Sequence, residues 1–124
     1  MTKYIIMTAA FYGFIGLLMS SLSAHAIKPM LIENGTFESF NTAQNILLIH
    51  SLIALIAVLM AKIFEIELFN WGAVGFLLGS LLFSLPIFLK GFNFSSALNF
   101  VIPIGGAIMM ASWILIIISA LKIR

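Results

Sequence analysis

The sequence predicts an all-α integral membrane protein, a four-helix bundle running up-down-up-down, and three observations predict it. Hydrophobic residues make up 63% of the 124 positions and charged residues 8%, against roughly 45–50% and about 25% in soluble domains. Four uncharged stretches each have the ~20 residues that carry a helix across a ~30 Å hydrocarbon core. None alternates apolar with polar residues as a barrel strand would. The bilayer interior offers no hydrogen bonds to the backbone, so these runs must be helical.

The first span, residues 4–26, follows Lys3. Ala24-His25-Ala26 fits the small-x-small pattern at which secretory leaders are cut. The apolar run is longer than the ~7–15 residues of such a leader, however, so a retained span is expected. Pro29 marks its end, and Asn34-Gly35 forms a turn in the longest connection, residues 27–41. Asn41, with Gln44 three residues on, resembles a capping arrangement opening span two, residues 42–61. Glu65 and Glu67 sit in the second connection beside Lys62. Span three, residues 68–89, then begins with Trp71 at interfacial depth. Span four, residues 97–121, contains Pro103, which either kinks it or occupies its first turn. The whole chain, 1–124, reads as one transmembrane domain.

An even number of spans puts both termini on one side. Lys3, Lys62, Lys122 and Arg124 fall there, against Lys28 and Lys90 opposite, which favours cytoplasmic termini by the positive-inside rule. Small residues predict the packing faces, because helices in lipid associate by close approach. Ala9, Gly13, Gly16, Ser20 and Ser23 make one stripe, and Ala43, Ala54, Ala57 and Ala61 another. Gly72, Gly75 and Gly79 mark span three, and Gly105, Gly106, Ala107 and Ala111 mark span four. These faces form the bundle interior or an interface with a copy or a partner.

Composition excludes several kinds of chemistry. With no Cys, disulfides and iron–sulfur ligation are out. The few basic residues are scattered, so nucleic acid is not an expected partner. The spans hold no carboxylate or guanidinium for a proton relay or voltage sensor. Two histidines fall short of a zinc set, and no catalytic triad or phosphate loop is present. No cofactor, no metal and no enzyme activity are expected.

The polar exceptions gather toward one half of the membrane: His25, Lys28, Asn41, Thr42, Gln44, Asn45 and His50, with Ser84 and Pro86 late in span three and Pro103, Gly105 and Gly106 early in span four. His50 shares a face with the alanine stripe, so it is expected inward, tying two helices together or handling a ligand. His25 lies nearly opposite its own small stripe, facing either headgroups or, through the connection, the interior. Polar side chains around irregular backbone build ligand sites in membrane proteins, and they also build plain helix ends.

The same residues carry a resemblance. Ser23-Ala24-His25-Ala26-Ile27-Lys28, Asn41-Thr42-Ala43 followed by His50-Ser51-Leu52, Leu82-Phe83-Ser84, and Ile102-Pro103-Ile104-Gly105-Gly106 followed by Trp113 resemble, in order, segments of a family of small four-span bacterial membrane proteins typified by YgdD, a family of unknown function. Ser23, Ile46, Leu85-Pro86 and Ser112 depart from its pattern. The resemblance implies a multipass protein of the bacterial inner membrane and no established activity. The function expected is that of a structural or accessory membrane protein packing with itself or a partner complex, in contact with the lipid bilayer. The alternative is a conduit or binding site for a small solute or lipid-soluble ligand, lined by the His50 cluster.

Overall fold

A computed structural model describes residues 1–95 and 97–124. The elements are α1 (Thr2–Ala24), a short α2 (Lys28–Glu33), α3 (Phe37–Phe64), α4 (Leu68–Gly91), a 3-10 turn at Asn99–Val101, and α5 (Ile102–Ala120). Four of the helices are long and apolar enough to cross a membrane. Neighbours in the sequence run antiparallel: Gly16 of α1 meets Leu48 of α3, and Gly72 of α4 meets Ile116 of α5.

In space the order is α1, α3, α4, α5. The central pair packs α3 against α4, α1 lies on α3 and touches α4 only lightly, and α5 lies on α4. The small residues decide these contacts. Ala54 and Ala57 of α3 and Ala73 of α4 are at most 1% exposed, which lets the central helices close around Phe76. Gly72, Gly75 and Gly79 all turn toward α5, where Ile116, Ser112 and Met109 fill the space a side chain would need. Outward, Phe11, Phe14 and Leu17 of α1, Leu52, Ile56 and Leu59 of α3, and Ile114 and Ile117 of α5 are exposed. Such a belt is intelligible only against lipid.

Boundaries differ from the sequence expectation in instructive ways. α1 stops at Ala24, and Pro29 does not close it; Pro29 lies in the first turn of α2, where a missing N–H costs nothing. α3 begins at Phe37, with Thr36 and not Asn41 as the residue before the helix, and Thr36 makes no side-chain cap. Glu38, Ser39 and Asn41 lie on helix emerging from the hydrocarbon, which hydropathy alone does not register. Pro103 is in the first turn of α5. Pro86 lies inside α4 and has no N–H for the Leu82 carbonyl. α5 packs closely at this point, since a Cβ on Gly105 would stand 3.0 Å from the Leu82 carbonyl carbon.

The end away from the termini is closed by aromatic packing. Phe40 is fully buried, with its ring 4.9 Å from Phe88 and 5.7 Å from Phe92. Leu31 brings α2 onto the same cluster.

Candidate functional site

The earlier start of α3 changes the depth of its residues. Glu38 and Lys62 lie 12 positions on either side of His50, about 18 Å each way at 1.5 Å per residue. His50 therefore sits at the middle of the span, and Thr42, Gln44 and Asn45 occupy the half toward α2. His25 follows the last turn of α1 and is exposed. Ser23, two residues before it, meets Gln44 and Asn41, so His25 stands ~15 Å in height from His50. The structure does not bring the two imidazoles together.

What it does bring together is a set of interhelical polar contacts around Gln44. The Ser23 hydroxyl lies 3.0 Å from Gln44 Oε1, 3.2 Å from Asn41 Oδ1 and 3.0 Å from the Ser20 carbonyl oxygen. One hydroxyl has one proton, so the trio is satisfied when Ser23 donates to Ser20 and an amide turns its NH2 toward the Ser23 oxygen. On the other side of α3, Ser84 Oγ donates to the Ala43 carbonyl at 2.8 Å. Residues 43 and 44 thus tie α3 to α4 and to α1 in turn.

The other predicted members lie apart. The Lys28 ammonium sits 5.6 Å over the Phe37 ring on the surface, a cation–π contact at the headgroup level. Thr42 is exposed and donates to the Glu38 carbonyl of its own helix. Asn45 and Pro103 are exposed as well. Gly105 is buried against α4, whereas Gly106 has no atom within 4 Å of the place its Cβ would occupy.

His50 is 7% exposed, and its Nδ1 lies 2.8 Å from the Ile46 carbonyl oxygen. A carbonyl can only accept, so Nδ1 carries a proton and donates it to the backbone. The histidine is tied to its own helix by hydrogen bonding and to its neighbour by stacking. Its ring centroid is 5.5 Å from that of Phe76, which stands 5.0 Å from Trp113, edge to face. This column of rings crosses α3, α4 and α5 at mid-membrane.

In the sequence Asn34 reads as a turn residue only. It is the main clamp of this end: its Nδ2 donates to the Gly91 carbonyl and to Asn93 Oδ1, both at 3.1 Å, and its Oδ1 accepts from the Thr36 N–H and hydroxyl. The Asn34-Gly35 pair was its only sequence signal, and that gives the turn without the distant partner. No group of three or more His, Cys, Asp or Glu residues that could hold a metal occurs among the described residues.

The family described as "Protein of unknown function (DUF423)" matches residues 19–106, well over half of the chain. The chain belongs to this family. On α1 and α5 the match takes in only the turns at the α2 end, where Ser23 and Gly105 make their contacts. Across nearly its whole length the chain is also 27% identical to the UPF0382 inner membrane protein YgdD of Escherichia coli strain K12, over 126 positions covering 99% of this chain and 93% of the relative. The YgdD proteins of Escherichia coli O157:H7 and Shigella flexneri match with the same identity and coverage. No solved structure matches the chain.

Proposed function

We propose that this DUF423 member is a packed accessory protein of the inner membrane, associating with itself or with a larger membrane complex and carrying no chemistry of its own. The observation that carries the reading is the filled seam between α3 and α4 at mid-membrane. Ala54, Ala57, Ala73 and Phe76 are at most 1% exposed there, and His50 donates to its own backbone beside them. A conduit would need polar groups facing a hollow at this depth.

Association has a suitable surface. Gly105 is used inside the bundle, but Ala107 and Ala111 are exposed on one face of α5 next to the open side of Gly106. Small residues on a lipid-exposed face let a second helix approach closely. The charges support cytoplasmic termini, because Lys3, Lys62, Lys122 and Arg124 gather at the terminal end while only Lys28 and Lys90 lie at the other.

The test is native mass spectrometry in mild detergent together with crosslinking in intact membranes. A discrete oligomer or a co-purifying complex is expected, weakened at least tenfold by Ala107→Leu with Ala111→Leu. Monomers with nothing bound would sink the reading. Solute uptake into proteoliposomes that disappears in His50→Ala would replace it with a conduit. A reporter fused to the C-terminus should be active only in its cytoplasmic form.

A further inference from the structure

The turn between α3 and α4 holds a pocket unlike the clefts that face lipid. Those clefts are apolar, as where Ile5, Tyr12, Val74 and Leu77 line the seam between α1 and α4. The turn pocket, of about 290 Å3, is lined by Ala61, Lys62, Glu65, Glu67 and Asn70. It lies at the terminal end of the bundle, about 18 Å from the level of His50, where hydrocarbon gives way to headgroups. Trp71, half exposed beside it, suits that depth.

Two independent features describe its ligand. Asn70 is 3% exposed and donates from Nδ2 to Glu67 Oε2 at 3.0 Å, yet its Oδ1 is buried with no hydrogen-bond partner among the described residues. A buried amide oxygen is costly to leave without a donor, and Asn70 is itself one of the residues that line the pocket. The second feature is charge of both signs. A bare cation would suit Glu65 and Glu67 but meet Lys62; a bare anion would suit Lys62 but meet two carboxylates. A ligand that joins the two charges answers all of them.

We infer that this pocket binds a zwitterion of a primary ammonium linked to a phosphate, namely the headgroup of an ethanolamine phospholipid in the leaflet on the side of the termini. The phosphate oxygens accept from Lys62. The three N–H donors of the ammonium serve Glu65, Glu67 and, once the Asn70 side chain turns toward the ligand, its unpaired oxygen. A trimethylated ammonium has no N–H and leaves Asn70 unserved. A glycerol headgroup brings no cation and sets its phosphate against two carboxylates. The inference rests on the fold alone and goes beyond the accessory role, since the lipid binds a monomer as well as an assembly.

The purified protein in mild detergent is titrated in parallel with phosphatidylethanolamine, phosphatidylcholine, phosphatidylglycerol, soluble phosphoethanolamine, and magnesium ion without lipid. Lipid retained in native mass spectra and the midpoint of thermal unfolding are the readouts. The ethanolamine lipid is expected to bind at least tenfold more tightly than the choline or glycerol lipid. Glu67→Gln, Lys62→Met and Asn70→Leu should each cut that preference to threefold or less. Glu65→Gln, at an exposed position, carries the same test should the buried Asn70 variant fail to fold. Equal retention of the three lipids, or preference unchanged in these variants, overturns the inference. So does a rise in midpoint from magnesium alone that Glu65→Gln abolishes, which would make the pocket a metal site. Soluble phosphoethanolamine binding as tightly as the lipid overturns the membrane as the ligand's source.

Discussion

Gly79 and Gly105 bring the backbones of α4 and α5 into direct contact. A Cβ on Gly105 would stand 2.6 Å from the Gly79 carbonyl oxygen and 2.6 Å from the Phe83 nitrogen; one on Gly79 would stand 2.8 Å from the Gly105 carbonyl oxygen. Backbone atoms cannot rotate aside as a side chain can, so the helices themselves must separate. Gly105→Ala is expected to destabilise the bundle by about 1–3 kcal/mol or more. The neighbouring Gly106→Ala meets nothing within 4 Å and should instead gain up to about 1 kcal/mol of helix propensity. Unfolding midpoints of the two variants in detergent check the pair: adjacent glycines, opposite signs.

Ser84 and Thr42 look equivalent in the sequence, a hydroxyl at similar depth on neighbouring helices, and the structure separates them. Ser84 is buried and donates across to Ala43, while Thr42 is exposed and donates within α3. Ser84→Ala should cost about 0.6–2 kcal/mol, the range for hydrogen bonds between helices in membranes. Thr42→Ala should be nearly silent, because no interhelical bond is lost. Equal losses in a titrated SDS unfolding assay would contradict the interhelical bond.

These two residues show what the sequence could and could not supply. Apolar length identified the four spans because the bilayer imposes that length. It did not identify the first turns of α3, since Glu38, Ser39 and Asn41 lie where the helix has left the hydrocarbon. Nor did it reveal α2, whose Pro29 reads equally as a terminator or an initiator. Candidate residues could be assigned a height from their position along a span, but a site also needs a facing. The alanine stripe held part of that information: Asn45 stands about 200° around the helix from buried Ala43 and accordingly faces outward. Which neighbour each face meets depends on the spatial order α1, α3, α4, α5, and nothing local in the sequence encodes that order.

Asn34 joins the turn after α2 to the end of α4 through Gly91 and Asn93. Both partners lie nearly 60 residues away in the chain, so no local turn propensity can replace the contact. Asn34→Ala should cost about 1–3 kcal/mol, since it leaves the Gly91 carbonyl and the Asn93 amide without their donor. The loss should be confined to this end of the bundle. Hydrogen exchange at residues 91–94 is expected to accelerate while the Gly79–Gly105 contact region keeps its protection. Uniform acceleration along α4 would mean that Asn34 supports the whole fold.

His50 offers the sharpest contrast between a structural and a chemical histidine. Its stacking on Phe76 needs a ring, and its bond to Ile46 lies within α3, so neither contact requires the free nitrogen. Phe keeps a ring, a somewhat larger one, and loses only the local bond, so His50→Phe should cost about 1–3 kcal/mol for the added volume in the seam. Ala keeps neither. His50→Ala should cost about 3–5 kcal/mol, by analogy with other ring-to-methyl truncations, and should loosen Trp113, the next ring in the column. Tryptophan emission measured in both variants reads this directly, with a shift expected for Ala and little for Phe. If instead His50→Phe abolishes assembly or a cellular phenotype while its unfolding midpoint stays unchanged, Nε2 has a role that packing does not account for.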